Sequence, residues 1–203
     1  GLVGKVSIAS YPSYDQIYVY SNEEKNYLED ILPSSIVSLY PVKELSKLEK
    51  RVIIFLRQED KKMSEETLSD LFTLFSQKDY EVFLKKPPTY TGNLADKLAS
   101  KFNLEMIDPE DDASEAILNL KPSFTVSWMS TALCESILHG VIPISLAEKD
   151  ISWHEGHWVN LKAWTIYPLE NRSLSWMKEK KRIIELLEDM SLYSKILSEL
   201  RMR

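Results

Sequence analysis

Residues 125–146 read TVSWMSTALCESILHGVIPISL, and they admit few folds. An apolar run stops at the Ser130-Thr131 pair, a short amphipathic stretch follows, Gly140 ends it, and a second apolar run begins. A hydroxyl residue is a preferred helix N-cap and glycine a preferred residue just past a helix end. The spacing predicts strand, helix and strand, the repeating unit of a parallel sheet. The first amides of the helix lack intrahelical partners and the helix dipole favours an anion there. Hydroxyls at Ser130 and Thr131 would extend that donor cluster, so a nucleotide phosphate is the expected guest; a plain N-cap is the simpler alternative.

The rest of the chain repeats the alternation. Val52 to Leu56 (VIIFL) is a continuous apolar run, as expected of a parallel strand covered on both faces. Ser64 caps a predicted helix with Glu65 and Glu66 in its first turn, and Leu68, Leu71, Phe72 and Phe75 form one stripe. Glu81 to Leu84 reads as the next strand. Asn93 opens a helix with Leu94, Leu98 and Phe102 inward, and Leu104 to Ile107 supplies a further strand. Asp112 and Glu115 have capping-box spacing ahead of Ala116, Ile117 and Leu120. Strands around Val126 and Ile142 complete the series, with Pro143 expected at a strand start or outside its ladder. Right-handed crossovers then give an α/β, doubly wound parallel sheet with its ligand at the carboxyl ends of the strands. A long C-terminal helix or helix pair is expected, with Ile183, Leu187 and Met190 on one face.

Ahead of this, Lys5 to Ala9, Gln16 to Tyr20 and Ile36 to Tyr40 read as short strands around an acidic helix from Glu23 to Ile31. The expected organisation is residues 1–48 as a remnant of, or linker from, an N-terminal domain, and residues 49–203 as a ligand-binding domain.

Composition removes several classes. A chain of 203 residues, 44% hydrophobic and 28% charged, can build its own core. A net charge of −6 offers no basic surface for duplex nucleic acid, so no nucleic-acid partner is expected. The single cysteine, Cys134, can form no internal disulfide and falls on the apolar side of its predicted helix. No apolar run approaches the roughly 18 residues of a membrane span, and no signal-peptide layout is present, which points to the cytoplasm. The five glycines form neither a G-x-G-x-x-G fingerprint nor a P-loop, and no nucleophile elbow surrounds Ser127 or Ser130. Trp153 to Trp158 (WHEGHW) lacks the H-E-x-x-H spacing and an obvious third ligand, so no metal is expected; an aromatic loop bordering the cleft, or ordinary packing, fits better.

Residues 51–203 resemble the C-terminal, nucleotide-binding half of GT-B-fold glycosyltransferases, and within them the bacterial lipooligosaccharide sialyltransferases and polysialyltransferases that use CMP-sialic acid. The resemblance implies a Rossmann-like domain in which Ser130 and Thr131 stand where the family's paired hydroxyls hold the CMP phosphate. It implies a ribose contact at Glu115, for which a capping-box role is the alternative. Glu135, ahead of Gly140 and Pro143, is similar to the wider GT-B glutamate that contacts ribose. The family's Lys-x-His-Pro turn corresponds here to Lys85, Lys86, Pro87 and Pro88, with Pro87 in the histidine's place. Lys85 or Lys86 would then carry the leaving nucleotide's charge. The catalytic carboxylate of those enzymes lies in a separate N-terminal domain; Asp15 resembles part of its last strand and reads as structural, so the chain looks like a fragment and no catalytic residue is assigned.

The implied activity is transfer of a sugar, CMP-sialic acid favoured as donor, to a cell-surface glycan such as lipooligosaccharide or capsule, without an essential metal or other cofactor. Its partners would be a nucleotide sugar, a glycan acceptor, and a partner domain or the inner face of a membrane. A non-catalytic, degenerate docking module is the alternative from another class, and a phosphotransferase or sugar epimerase on the same sheet is a third.

Overall fold

The computed structural model describes residues 15–19, 22–31, 36–39, 45, 47–60, 63–128, 130–146 and single positions between 184 and 195. The predicted strand at Lys5 to Ala9, the Trp153 to Trp158 segment, and most of the C-terminal helical stretch lie outside them.

Two sheets are present among the described residues. β1 (Gln16–Val19) and β2 (Ile36–Leu39) pair in parallel, joined through α1 (Asn22–Ile31). Leu28 of α1 and Val37 of β2 are buried, while Tyr18, Ile36 and Leu39 are exposed.

The larger sheet holds β3 (Glu49–Phe55), β4 (Glu81–Lys85), β5 (Glu105–Ile107), β6 (Pro122–Ser127) and β7 (Ile142–Ser145), all parallel, in the order β5-β4-β3-β6-β7. α2 (Glu65–Ser76) and α3 (Leu94–Phe102) make the crossovers to one side, and α4 (Ala113–Leu120) and α5 (Thr131–Leu138) make those to the other. β3 explains the two layers. Alternate residues Val52, Ile54 and Leu56 pack with Leu68, Leu71, Phe72 and Phe75 of α2 and Leu94 and Leu98 of α3. Ile53 and Phe55 pack instead with Ile117 of α4 and Ala132 of α5. The doubly wound, Rossmann-like architecture read from the sequence is therefore the observed one.

The buried stripe of α2 ends in an aromatic cluster, with Tyr80 and Phe124 rings 5.8 Å apart and each within 6.2 Å of Phe75. Complete burial of a phenylalanine is worth about 2–3 kcal/mol, so this cluster is a principal anchor of α2 to the sheet. Ile184 and Leu187 pack against the same core, and Glu188 pairs with Lys78 at 2.7 Å.

Two details differ from the sequence reading. β3 begins at Glu49, ahead of the apolar run, because its polar start is satisfied across the sheet: Arg51 pairs with Glu81 on β4 at 2.7 Å. Pro143 sits inside β7, opposite Thr125 of β6. β7 is an edge strand among the described residues, where the missing amide of a proline can fall on the side away from β6. Gly140, with φ 79°, ends α5 as expected.

Candidate functional site

β3 feeds helices to one side of the sheet and β6 to the other, so the strand order reverses between these neighbours. In open α/β sheets the crevice outside the carboxyl ends at such a reversal is the ligand site. Ser127, the last residue of β6, forms its floor: the buried hydroxyl donates to the Phe55 carbonyl of β3 at 2.9 Å. The next elements beyond β6 are Trp128, which is buried, and the start of α5.

Four described helices start at this edge, and each start carries amides without intrahelical partners and a partial positive charge of about +0.5. Three of the four starts are answered by the chain's own carboxylates. α2 has Ser64 as cap, accepting from the Thr67 amide at 3.2 Å, with Glu65 and Glu66 in its first turn. At α3, Asp60 reaches in from the loop after β3 and accepts from the amides of Asn93 (2.9 Å) and Leu94 (3.0 Å). Asn93, expected to open this helix, makes no side-chain cap bond. Asp112 caps α4, accepting from the Glu115 amide at 2.6 Å, and Glu115 adds a second carboxylate. α5 differs. Its cap is the neutral Ser130, accepting from the Ala132 amide at 3.2 Å, and its first turn holds no acidic residue. Thr131 is exposed beside it.

A buried hydroxyl chain fixes the direction of α5. Thr125 of β6 donates to Ser136 at 2.6 Å, and Ser136 donates to the Ala132 carbonyl at 2.6 Å, with both side chains at 0% exposure.

The structure brings some of the sequence-selected residues together and separates others. Thr131 and Glu135 are one turn apart on α5. Glu135 reaches α4, accepting from the Ser114 hydroxyl at 3.1 Å, which joins it to the turn carrying Glu115. Glu115 is exposed, and only the half of the capping box in which its amide donates to Asp112 is formed. Lys85, at the end of β4, is only 6% exposed and donates to the carbonyls of Asp108 and Pro109, both at 3.0 Å. It thereby holds the loop that opens α4. Desolvation lowers the Lys85 pKa from its usual 10.5, against the opposing influence of Asp111, Asp108, Asp112 and Glu110. Lys86 turns instead toward α3, pairing with Asp96 at 2.9 Å and lying over the Tyr90 ring. The side chain of Cys134 lies outside the described residues.

Sequence reasoning did not single out Ser114, His139, Asp60 or Tyr90. Tyr90 donates to Asp60 and accepts from the Ala95 amide at 3.0 Å, so Asp60 and Tyr90 together serve three amides at the start of α3. Burial and the Asp60 bond push the Tyr90 hydroxyl up to about 12. The nearest sequence signal for this pair is Gly92, whose φ of 131° suits glycine and whose Cβ, if present, would overlap the Asp60 carboxylate. Among the described residues no group of three His, Cys, Asp or Glu side chains is placed to hold a metal ion. No described helix is long and apolar enough to cross a membrane.

This arrangement, a doubly wound sheet with a helix start at its reversal point, is that of a Rossmann-like fold. Among solved structures the chain is similar to the wall teichoic acid polymerase TagF (H444N variant), with a TM-score of 0.56 at 12% identity over 94% of this chain. The likeness is one of fold. The chain spans about half of that protein, 53% of its length. No family model and no curated protein matches the sequence.

Proposed function

We propose that this chain is the donor-binding half of a GT-B glycosyltransferase, taking a nucleotide sugar, with CMP-sialic acid favoured, for transfer to a cell-surface glycan. The observation that carries the reading is the start of α5, which lies at the sheet reversal and is the one among the four described helix starts where no described carboxylate answers the helix dipole. In glycosyl transfer negative charge grows on the departing nucleotide phosphate. Fixed amides and hydroxyls aimed at that charge lower the barrier without reorganising. Ser130 and Thr131 would hold the phosphate, Glu135 and Glu115 the ribose side. Lys85, buried at the same edge, would act through its field, with Lys86 as the more accessible cation. The reading needs no metal or other cofactor and assigns no catalytic base to this chain. TagF is by name a polymerase of a wall polymer, which fits an acceptor of the cell-surface class. Residues 1–48 are proposed as part of the companion domain, and the inner face of a membrane as the place of action.

Pro87 favours a second reading, a docking module that has lost turnover. It stands where the enzymes that the sequence resembles carry a histidine, and its carbonyl closes the turn, accepting from the Tyr90 amide at 3.0 Å.

Calorimetric titration with CMP, UDP and CDP tests the donor site, alongside a Ser130→Ala/Thr131→Ala variant. A hydrogen bond to a charged group is worth about 1.5–3 kcal/mol, so the double variant is expected to weaken CMP by about 100-fold or more. Equal binding by both proteins would place the phosphate elsewhere; no binding of CMP, UDP or CDP by wild type would favour the docking module.

A further inference from the structure

The α4–α5 seam contains a polar chain that the donor site as described above does not use. His139, the C-cap residue just past α5, four positions beyond Glu135 and only 5% exposed, lies with Nε2 3.2 Å from the Ser114 hydroxyl of α4. The same hydroxyl donates to Glu135 Oε2 at 3.1 Å. Serine has one hydroxyl hydrogen, and an ionised carboxylate can only accept. With that hydrogen given to Glu135, the Ser114 oxygen can only accept from His139. The network therefore requires the proton of His139 on Nε2. The order is imidazole N–H to hydroxyl to carboxylate, in which each bond polarises the next.

We infer that Ser114 and His139 are positioning residues: they lock one oxygen of Glu135 so that the other is presented to the hydroxyl groups of a ribose. This rests on the nucleotide reading above. Among the described residues Glu135 Oε1 has no hydrogen-bond partner. Thr131 and Glu135 are four positions apart on the helix, a rise of about 6 Å, comparable to the reach from a 5′-phosphate across one sugar ring. A carboxylate held from behind by a donor relay has only acceptor capacity left, so it selects a ligand with hydroxyl donors. Vicinal ribose hydroxyls have that chemistry and a deoxy sugar lacks it. His139 is also anchored through its backbone, its carbonyl accepting from the Leu45 amide at 3.1 Å, which keeps the relay's far end fixed.

The test compares CMP with 2′,3′-dideoxycytidine monophosphate on the full chain, by calorimetry, for wild type, Ser114→Ala, Ser114→Thr and His139→Gln. Ser114→Ala is expected to weaken CMP about tenfold, one hydrogen bond's worth, and to leave the dideoxy compound unchanged. Ser114→Thr keeps the hydroxyl and His139→Gln keeps an N–H, so both are expected within about threefold of wild type, guarding against a result that reflects misfolding. In a Glu135→Gln background Ser114→Ala is expected to add little, since the two act as one unit. Equal weakening of both nucleotides, or no weakening of CMP, would overturn the positioning role while leaving the nucleotide site standing. Failure of wild type to bind CMP, UDP or CDP would overturn both.

Discussion

Replacing Asp60 by alanine should destabilise the domain by about 2–4 kcal/mol. The carboxylate accepts from the Tyr90 hydroxyl and from the amides of Asn93 and Leu94, and so acts as a borrowed cap for α3. Loss of a cap costs about 1 kcal/mol, and loss of a negative charge at a helix start about 0.3–1 kcal/mol. The Tyr90 hydroxyl, left without its acceptor while still holding the Ala95 amide, adds roughly 1–2 kcal/mol, the lower part of the range for an unsatisfied polar group because Tyr90 is only half-buried. For a chain of this size that sum is a fall in Tm of about 5–15 °C, readable by urea unfolding or calorimetry. The pH dependence has a definite sign. Burial raises the Asp60 pKa, but the bonds from Tyr90, Leu94 and Asn93 outweigh it and bring the value below 3.8. Its contribution is therefore complete above pH 3.8 and disappears as pH falls through the depressed folded value. Wild type and Asp60→Asn should converge in that acid window. Gly92→Ala attacks the same carboxylate from the other side and should cost at least as much, through both its φ of 131° and the overlap with Asp60. A loss under 0.5 kcal/mol for Asp60→Ala would refute the borrowed cap and return that role to Asn93.

Two further outcomes follow from buried polar groups. Lys85→Met removes two ammonium hydrogen bonds from the Asp108 and Pro109 carbonyls and relieves the burial of a charge, for an expected net loss of about 2 kcal/mol in unfolding free energy, read from urea unfolding. Because the folded Lys85 pKa lies below 10.5, the unfolded chain binds more protons between the two values; wild-type stability should rise with pH there, and the variant should lack that rise. Ser136→Ala strands the buried Thr125 hydroxyl and should cost about 1–3 kcal/mol, whereas Thr125→Val/Ser136→Ala, which removes both partners, should recover part of the loss.

The sheet was legible because its signals are local. The VIIFL run at 52–56, the Leu68, Leu71, Phe72, Phe75 stripe and Gly140 each report backbone state or burial within one or two turns of chain. The order of strands followed from handedness once the elements were known. What could not be read is every partnership that depends on two elements meeting at the sheet edge. Asp60 finds the start of α3 from 33 residues away, Lys85 finds the Pro109 carbonyl from 24, and Ser114 finds Glu135 from 21. Lysine at the end of an apolar strand invites a ligand-binding reading, but a lysine buried there needs acceptors, and two backbone carbonyls of the next loop supply them.

The same distinction bears on the candidate phosphate site. A serine before a helix is locally ambiguous, since the sequence of a cap and that of an anion site are the same. The ambiguity is reduced only by comparing Ser130 with the other starts at the same edge. α2 and α4 carry acidic residues in their own first turns, and α3 recruits Asp60 across the sheet although Asn93 stands at its cap position. Among the described residues, carboxylates stand at three of these dipoles while the fourth, at the strand-order reversal, is met by neutral hydroxyls, which leaves room there for a negative charge from outside. Introducing a carboxylate at that point, as Thr131→Asp, should then improve folding stability by about 0.3–1 kcal/mol while abolishing measurable CMP binding. Improved stability with unchanged CMP affinity would show the start of α5 to be an ordinary cap.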